Sequence, residues 1–475
     1  MSETDDVASA QMQLLARMQV AQLEGGEVPA ALRIDRLTRL LRLLREHADE
    51  FCATLDEDFG GRPREVSLMN DVMATFNSVK YARAHVRRWM KPERRQGVFP
   101  FSLFGARVRV EHLPKGVVGI LGTWNVPLFT TLSPLAFVLA AGNRAMLKPS
   151  EFVPCTAEAL RKAVQAAFAE DELTVVCGDA RAAAAFSALP FDHLVLTGSS
   201  ATGMRVMRAA ADRLTPVTLE LGGKSPAIIG RDADIALAAK RIVEGKAMNA
   251  GQICVAPDTV FVPRARLETF IAACAQTHQR LFPVTAGGEA LTAIVNARHR
   301  ARLEGYLAEI RTRGGRIVDC GGGLSTNSRR WPLQLVIDPP QDSRIAQEEI
   351  FGPVLQVETY TEIEAVITRI NAGSRPLALY YFGADAREER QVLAHTISGG
   401  VAVNDVLLQV AAHDAPFGGV GASGMGAYHG REGFAQFSHA RTVYRSGWWD
   451  PREKLGLVPP YSGQLYARLL KTLRL

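Results

Sequence analysis

Three short segments of this chain carry residues that can do chemistry together. Asn249-Ala-Gly-Gln-Ile-Cys254 places a cysteine behind a polar, glycine-bearing turn, with Val-Ala-Pro-Asp following. Upstream, Leu219-Glu220-Leu221-Gly222-Gly223-Lys224 sets an acid between apolar residues and ahead of paired glycines. Further upstream stands Trp124-Asn125-Val126-Pro127. Cys254 offers a thiol nucleophile, Glu220 a base, and Asn125 an amide donor for a developing oxyanion, the set that acyl chemistry on a carbonyl requires. The apolar neighbours of Glu220 favour partial desolvation, which raises a carboxyl pKa toward neutral pH. Each residue also has a plainer reading. Most cysteines in a long chain are buried and inert, a lone glutamate at a strand end is usually half of a salt bridge, and an asparagine two before a proline is often a turn residue.

The elements that hold these residues belong to a large soluble protein. At 475 residues the chain exceeds one ordinary core, so two or three domains are expected. Hydrophobic residues make up 47% and charged residues 22%, and the net charge of +6 is small for the length. With no long basic run, nucleic-acid binding is not expected. The six cysteines, Cys52, Cys155, Cys177, Cys254, Cys274 and Cys320, form no CxxC pair, which argues against a zinc site, and no metal ligands are assigned. Their scatter, and an acidic start without the pattern of a secretory signal, point to a reduced cytoplasmic setting. No apolar run is long enough to span a membrane. Near the end, Leu465, Leu469 and Leu473 recur at helical spacing beside Arg468, Lys471 and Arg474. This basic amphipathic segment suits docking on the body or a partner subunit better than contact with a membrane surface.

Residues from about Ala8 to Arg94 read as helices, with Leu32, Leu37, Leu40, Leu41 and Leu44 near helical period. Val108 to Leu113 alternates like a half-buried strand. Strands at Gly116–Gly122, Arg144–Lys148, Thr174–Cys177 and His193–Thr197 alternate with helices at Ala136–Ala141 and Pro154–Ala169. That is the pattern of an α/β protein with a parallel doubly wound sheet. A second alternation follows Gly223, with strands at Ser225–Ile229, Thr259–Val262 and Val354–Val357 and helices at Ile235–Met248 and Arg266–Leu281. Gly321-Gly-Gly-Leu-Ser reads as a loop. No strand-to-helix turn carries the GxGxxG fingerprint. Gly198, Ser199 and Gly203 open a helix after a strand, where bare N–H groups can receive a pyrophosphate.

Further segments, in order, are Leu147-Lys148-Pro149-Ser150-Glu151, Leu196-Thr197-Gly198-Ser199-Ser200, Glu349-Ile350-Phe351-Gly352-Pro353 and Pro416-Phe417-Gly418-Gly419-Val420. With the three above they resemble the aldehyde dehydrogenase superfamily over nearly the whole chain, from the first helices to His439. The compact length and Gly424-Met-Gly-Ala-Tyr-His-Gly430 resemble its class 3 branch, and within it the bacterial coniferyl aldehyde dehydrogenases. The resemblance implies a variant Rossmann domain that binds NAD, with NADP as an alternative, over residues 1–104 and 117–222. It implies an α/β catalytic domain over 223–424, a small oligomerisation element from 105–116 and 425–450, and a tail over 451–475.

The same resemblance makes Cys254 the nucleophile, Glu220 the base and Asn125 the oxyanion donor. It puts Trp124, Lys148, Glu151, Gly198, Ser199 and Gly203 around the cofactor, Glu349 on the nicotinamide ribose and Phe351 against the nicotinamide. Asn404 and the loop near Pro416 are expected close to the site. One departure is Thr123, where the family usually has proline. The implied activity is oxidation of an aldehyde to the acid, with aromatic or hydrophobic, coniferaldehyde-like substrates first, in a homodimer joined through the Val108 strand and the segment Phe437–Ser446. Two other readings stay open at this point: a relative that passes its acyl group to coenzyme A, which Glu220 argues against, and a non-catalytic protein on the same fold.

Overall fold

A computed structural model describes residues 3–284, 288–321, 328–461 and 463–473. Residues 322–325 of the loop expected from Gly321, and Arg474 of the C-terminal segment, lie outside the described residues. The strands are β1 (Glu93–Arg95), β2 (Arg107–Pro114), β3 (Val117–Leu121), β4 (Arg144–Lys148), β5 (Leu173–Val175), β6 (His193–Gly198), β7 (Val217–Leu221) and β8 (Pro226–Ile229). They continue with β9 (Thr259–Pro263), β10 (Arg316–Asp319), β11 (Gln334–Ile337), β12 (Val354–Tyr360), β13 (Ala378–Phe382), β14 (Gly400–Val403), β15 (Gly424–Met425) and β16 (Ser438–Arg445).

They form three sheets. The first runs β15-β7-β6-β3-β4-β5, parallel except for β15. The chain winds outward from β3 in both directions, to β4 and β5 on one side and to β6 and β7 on the other. This is the doubly wound order expected, and it creates a switch point between β3 and β6 where ligands bind beyond the carboxyl ends of the strands. The second sheet runs β10-β11-β12-β9-β8-β13-β14, with only β10 antiparallel. The third is antiparallel, β1-β2-β16, with β2 and β16 in register from Arg107 opposite Arg445 to Pro114 opposite Ser438.

Burial explains the elements. β3 is buried along its whole length and reads as a run of apolar residues rather than an alternation; β4, equally buried, has an apolar centre between Arg144 and Lys148. In the helix Ala30–Glu46, Leu37, Leu40, Leu41 and Leu44 face the core as their spacing predicts. The helix expected over Ala136–Ala141 is longer, Pro127–Ala140, and buried on every face. Proline suits its first turn, where the N–H is unpaired in any case, and burial on all sides carries the helix through Pro134. The apolar run Ala378–Phe382, not singled out from the sequence, is the fully buried β13. No helix among the described residues is long and apolar enough to cross a membrane. In the helix Gly463–Thr472, Leu465 is buried while Leu469 and Leu473 are exposed, so the leucine stripe packs only in part on the body.

Candidate active site

The carboxyl ends of β3, β6 and β7 deliver the first half of the site. β3 leads through Gly122 into Trp124 and Asn125, which the buried helix Pro127–Ala140 pins from behind. β6 ends at Gly198 and β7 carries Glu220. The second half comes from the second sheet's side of the molecule, in the loop between the helix Ile235–Ala247 and β9 and in the segment before β12. The halves meet around a cavity of about 200 Å³ whose wall includes Trp124, Asn125, Gly198, Ser199, Glu220, Cys254, Glu349 and Phe351.

The loop bearing Cys254 is wound left-handed. Asn249 (φ 49°), Ala250 (φ 54°) and Gly251 (φ 69°) are consecutive. Such a conformation costs of order 1–3 kcal/mol for each residue other than glycine and persists only where the surroundings fix it. Here they do. The Gln252 side chain, fully buried, donates to Asn249 O at 3.0 Å and Ala293 O at 3.1 Å and accepts from Val295 N at 2.9 Å. Asn249 Nδ2 donates to Asn125 O at 2.9 Å, and Asn125 Nδ2 returns a bond to Gln252 O at 3.0 Å. Gly251 admits no side chain, because a Cβ there would lie 2.4 Å from Gly352 O. One N–H of the Asn125 amide is thus spent on holding the loop, and the other remains for a ligand oxygen.

Glu220 is 2% exposed. Burial pushes its pKa up to about 7, with the Cys254 thiol and the Thr197 hydroxyl pulling part of the way back. Burial, then the charge of Glu220, raises the Cys254 thiol well above its ordinary value. At neutral pH the thiol therefore holds its proton while Glu220 is partly ionised, and a thiolate is made in place by transfer to the ionised carboxylate. Glu349 is also raised, to about 8, by burial and then by the nearby Asp258. Its segment is braced twice. Arg302 donates to Glu349 O at 3.1 Å and Ile350 O at 2.7 Å, and Lys224 donates to Asp258, to Ile345 O at 2.8 Å and to Glu348 O at 3.1 Å. Phe351, with φ 47°, meets Trp124 edge-on at 5.3 Å.

The remaining expected cofactor residues stand farther along the same strand edge. Lys148 ends β4, buried, with Nζ on Pro149 O (2.9 Å) and Gly178 O (2.8 Å), while Glu151 is exposed three residues on. The helix Ser200–Ala211 points its start at the cavity, with Ser199 as its cap. Gly203 stands apart from the donors. Its N–H bonds to Ser199 O at 2.8 Å, and a Cβ there would press on Leu221 at 2.9 Å, so it serves the close packing of helix on sheet. Glu349, Phe351, the helix start and the Lys148–Glu151 turn fit an extended dinucleotide lying across the carboxyl edge from the switch point to β4.

Asn404 does not line this cavity. It is exposed and exchanges hydrogen bonds with the Gly383 backbone, at 2.9 and 3.0 Å. His429 is buried and bonded to Ser133, which makes it a structural histidine. The sequence reading assigned no role to Thr197, His299 or Arg302, which also face the cavity. Thr197 was findable, since β6 and β7 run in parallel and place it opposite Glu220. His299 and Arg302 lie on an arginine-rich helix that reads as a solvated face.

A doubly wound parallel sheet whose switch point faces a half-buried thiol and a buried carboxyl in one cavity has the arrangement suited to acyl chemistry on a carbonyl beside a dinucleotide. The chain belongs to the aldehyde dehydrogenase family, whose model matches residues 5–443. It is accordingly an NAD(P)-dependent aldehyde oxidoreductase. It is 46% identical over 453 residues to a probable coniferyl aldehyde dehydrogenase of Caulobacter vibrioides, covering 94% of this chain and 93% of that one. It is 45% identical over 433 residues to the coniferyl aldehyde dehydrogenase of a Pseudomonas species, covering 90% and 89%. The solved Staphylococcus aureus AldH in a substrate-bound state superposes with a TM-score of 0.90 at 31% identity, over 97% of this chain and 99% of that one.

Proposed function

We propose that this enzyme oxidises aromatic or hydrophobic aldehydes of the coniferaldehyde type to their carboxylic acids, preferring NAD. The observation that carries the chemistry is the half-buried Cys254 thiol beside the buried Glu220 carboxyl, in one cavity with the Asn125 amide. Glu220 takes the thiol proton, and Cys254 Sγ attacks the aldehyde carbon to give a thiohemiacetal. The free amide N–H of Asn125 and the backbone N–H of Cys254 face the resulting oxygen. Bound NAD(P) supplies the acceptor for the hydride that leaves this adduct as it becomes a thioester. Glu220 gives the thiol's proton up to solvent and then draws a proton from water; the hydroxide so formed attacks the thioester, and the C–S bond breaks to release the acid and return Cys254. A base tuned to about 7 suits both proton transfers near neutral pH. Glu220 also favours water over coenzyme A as the acyl acceptor.

The substrate class is supported by the names of the coniferyl aldehyde dehydrogenases to which the chain is similar. The NAD preference is supported by Glu151 beyond the end of β4, since a carboxylate there accepts from a ribose 2′-hydroxyl and repels a 2′-phosphate. The six-stranded sheet supports a cofactor domain over 1–104 and 117–222, and the seven-stranded sheet a catalytic domain over 223–424. The three-stranded sheet supports an oligomerisation element over 105–116 and 425–450, with β1 added to it. A homodimer and a reduced, cytoplasmic setting complete the reading; the six cysteines are free thiols.

The test is NADH formation across aliphatic and aromatic aldehydes, with and without coenzyme A, for wild type and Cys254→Ala. Coniferaldehyde-like aldehydes should rank first, the acid should form without coenzyme A, and Cys254→Ala should be inactive. Equal activity in Cys254→Ala would remove the nucleophile, and a preference for short aliphatic aldehydes would remove the substrate class.

A further inference from the structure

We propose that the Thr197 and Tyr428 hydroxyls form a buried chain that positions Glu220 and keeps it ionised as the catalytic base. The inference rests on the reading of Glu220 as that base and deepens it.

Register places the first link. Thr197 of β6 lies directly opposite Glu220 of β7, so the two side chains share a face of the sheet. On the other side of Glu220, β15 contributes Gly424, and the chain turns from there to Tyr428. Tyr428 is fixed by a backbone pair with Phe417, accepting at 2.7 Å and donating at 2.9 Å. Thr197 is 5% exposed, Glu220 2% and Tyr428 1%. A tyrosine or threonine hydroxyl that deep needs a partner. Thr197 Oγ1, Tyr428 Oη and Glu220 Oε1 have no hydrogen-bond partner among the described residues. They are left to satisfy one another: the Thr197 hydroxyl favours the charged forms of both Glu220 and Tyr428, and a chain closed among the three as Glu220 ionises uses every unmade bond.

The far end of the chain is anchored against strain. His429, next to Tyr428, has φ 75° and ψ 159°, a conformation that costs a non-glycine residue of order 1–3 kcal/mol. It is held by Ser133 at 2.9 Å, which donates to Ser78 at 3.0 Å, which in turn meets His413 at 3.2 Å. Gly430 N closes the loop onto His413 O at 2.9 Å. The buried helix Pro127–Ala140 and the buried face of the helix Ala74–Trp89 thereby fix the turn that presents Tyr428.

The titratable groups that face Glu220 are Cys254 from the nucleophile loop, Glu349 from the segment before β12, and Tyr428. The Cys254 thiol favours a charge there, while burial and Glu349 disfavour it. Donors from Thr197 act in the opposite direction by stabilising the carboxylate. Removing them therefore moves the pH at which the base becomes active upward.

The experiment is the dependence of kcat on pH at saturating NAD and aldehyde, for wild type, Thr197→Val, Thr197→Ser and Tyr428→Phe, each also in a Glu220→Gln background. Thr197→Val should move the acidic limb up by about one pH unit, a loss of about tenfold in kcat below the limb, with KM little changed. Tyr428→Phe should move it the same way by less, and Thr197→Ser should restore it. In the Glu220→Gln background neither substitution should matter further. Limbs that stay in place in both variants overturn the proposal, as do losses that are uniform in pH and persist with Glu220→Gln, because those report packing alone. If Glu220→Gln itself keeps wild-type kcat and limb, the base reading fails and the proposal with it, an outcome distinct from the others.

Discussion

At the scale of single residues, the site works by placing two ionisable groups where neither can readily carry charge. Burial raises Glu220 to about 7 and Cys254 higher still, so the thiol keeps its proton at rest and only an ionised Glu220 can take it. Activity should then rise with pH through about 7 as Glu220 ionises in the free enzyme, and a kcat/KM profile will show it. The same shift has a stability consequence with a definite sign. The folded-state value lies above the ordinary 4.5, so the folded state binds the proton more tightly than the unfolded chain. The penalty is absent below 4.5, grows between 4.5 and about 7, and is complete above that, at about 3 kcal/mol. Glu220→Gln should therefore raise the denaturation midpoint on the alkaline side of 7 and leave it unchanged in acid below 4.5. A gain that is equal at every pH would mean the carboxyl is not buried as a charge. Asn125→Ala tests the other polar partner. Losing one oxyanion donor should lower kcat by about 10²–10³ with little effect on KM, but the Gln252 O bond also goes, so single-turnover rates are the cleaner readout.

At the scale of elements, Cys254, the proposed nucleophile, is held by a loop that would not keep its shape alone. Gln252 joins that loop to residues 293–295 through two hydrogen bonds and closes the loop on Asn249 O with a third, all buried. Gln252→Ala strands those backbone groups, each worth about 1–3 kcal/mol when left unpaired. Expected is a loss of about 2–4 kcal/mol in denaturant unfolding, together with a fall in kcat as Cys254 loses its fixed position; a stable and fully active variant would show that the left-handed turn is held by other means. This element also marks what the sequence could tell. Cys254, Glu220 and Asn125 were legible because each sits in a short segment whose residues are neighbours in the chain. The central strands β3, β4, β6, β8, β9 and β12 were legible as apolar runs. Thr197 and Tyr428 were not singled out, because their meaning comes from register across strands and from the partner that a buried hydroxyl must find. The left-handed Asn249 and Ala250 were hidden for a different reason: nothing in their side chains requires that conformation, and the surrounding hydrogen bonds impose it. Gly203 looked like a phosphate donor from its place in a helix start and proves to be a packing glycine, a distinction that only the position of Leu221 reveals.

At the scale of the whole molecule, the site exists because two sheets meet. Glu220 and Asn125 belong to the six-stranded sheet's edge, Cys254, Glu349 and Phe351 to the other side, and the reciprocal bonds of Asn125 with Asn249 and Gln252 cross between them. The third sheet serves neither half of the cavity. It ends at β16, an exposed strand of eight residues with no partner on its outer edge among the described residues. A long open edge invites pairing with another chain, and exposed Tyr444 and Trp448 stand on and just beyond it. A dimer formed there would extend the sheet across the subunit boundary. In an antiparallel ladder successive residues alternate between bonding the partner strand and pointing outward, so one of Thr442 and Val443 directs its N–H away from β2. Proline at that position removes an outward donor while leaving β2 paired; proline at the other breaks the β2–β16 ladder itself. Wild type should sediment as a dimer at micromolar concentration. One of Thr442→Pro and Val443→Pro should sediment as a monomer with an unchanged unfolding midpoint, and the other should lose stability. A monomeric wild type, or a dimer untouched by both substitutions, would place the subunit contact elsewhere and leave β16 as an edge protected only by its charged side chains.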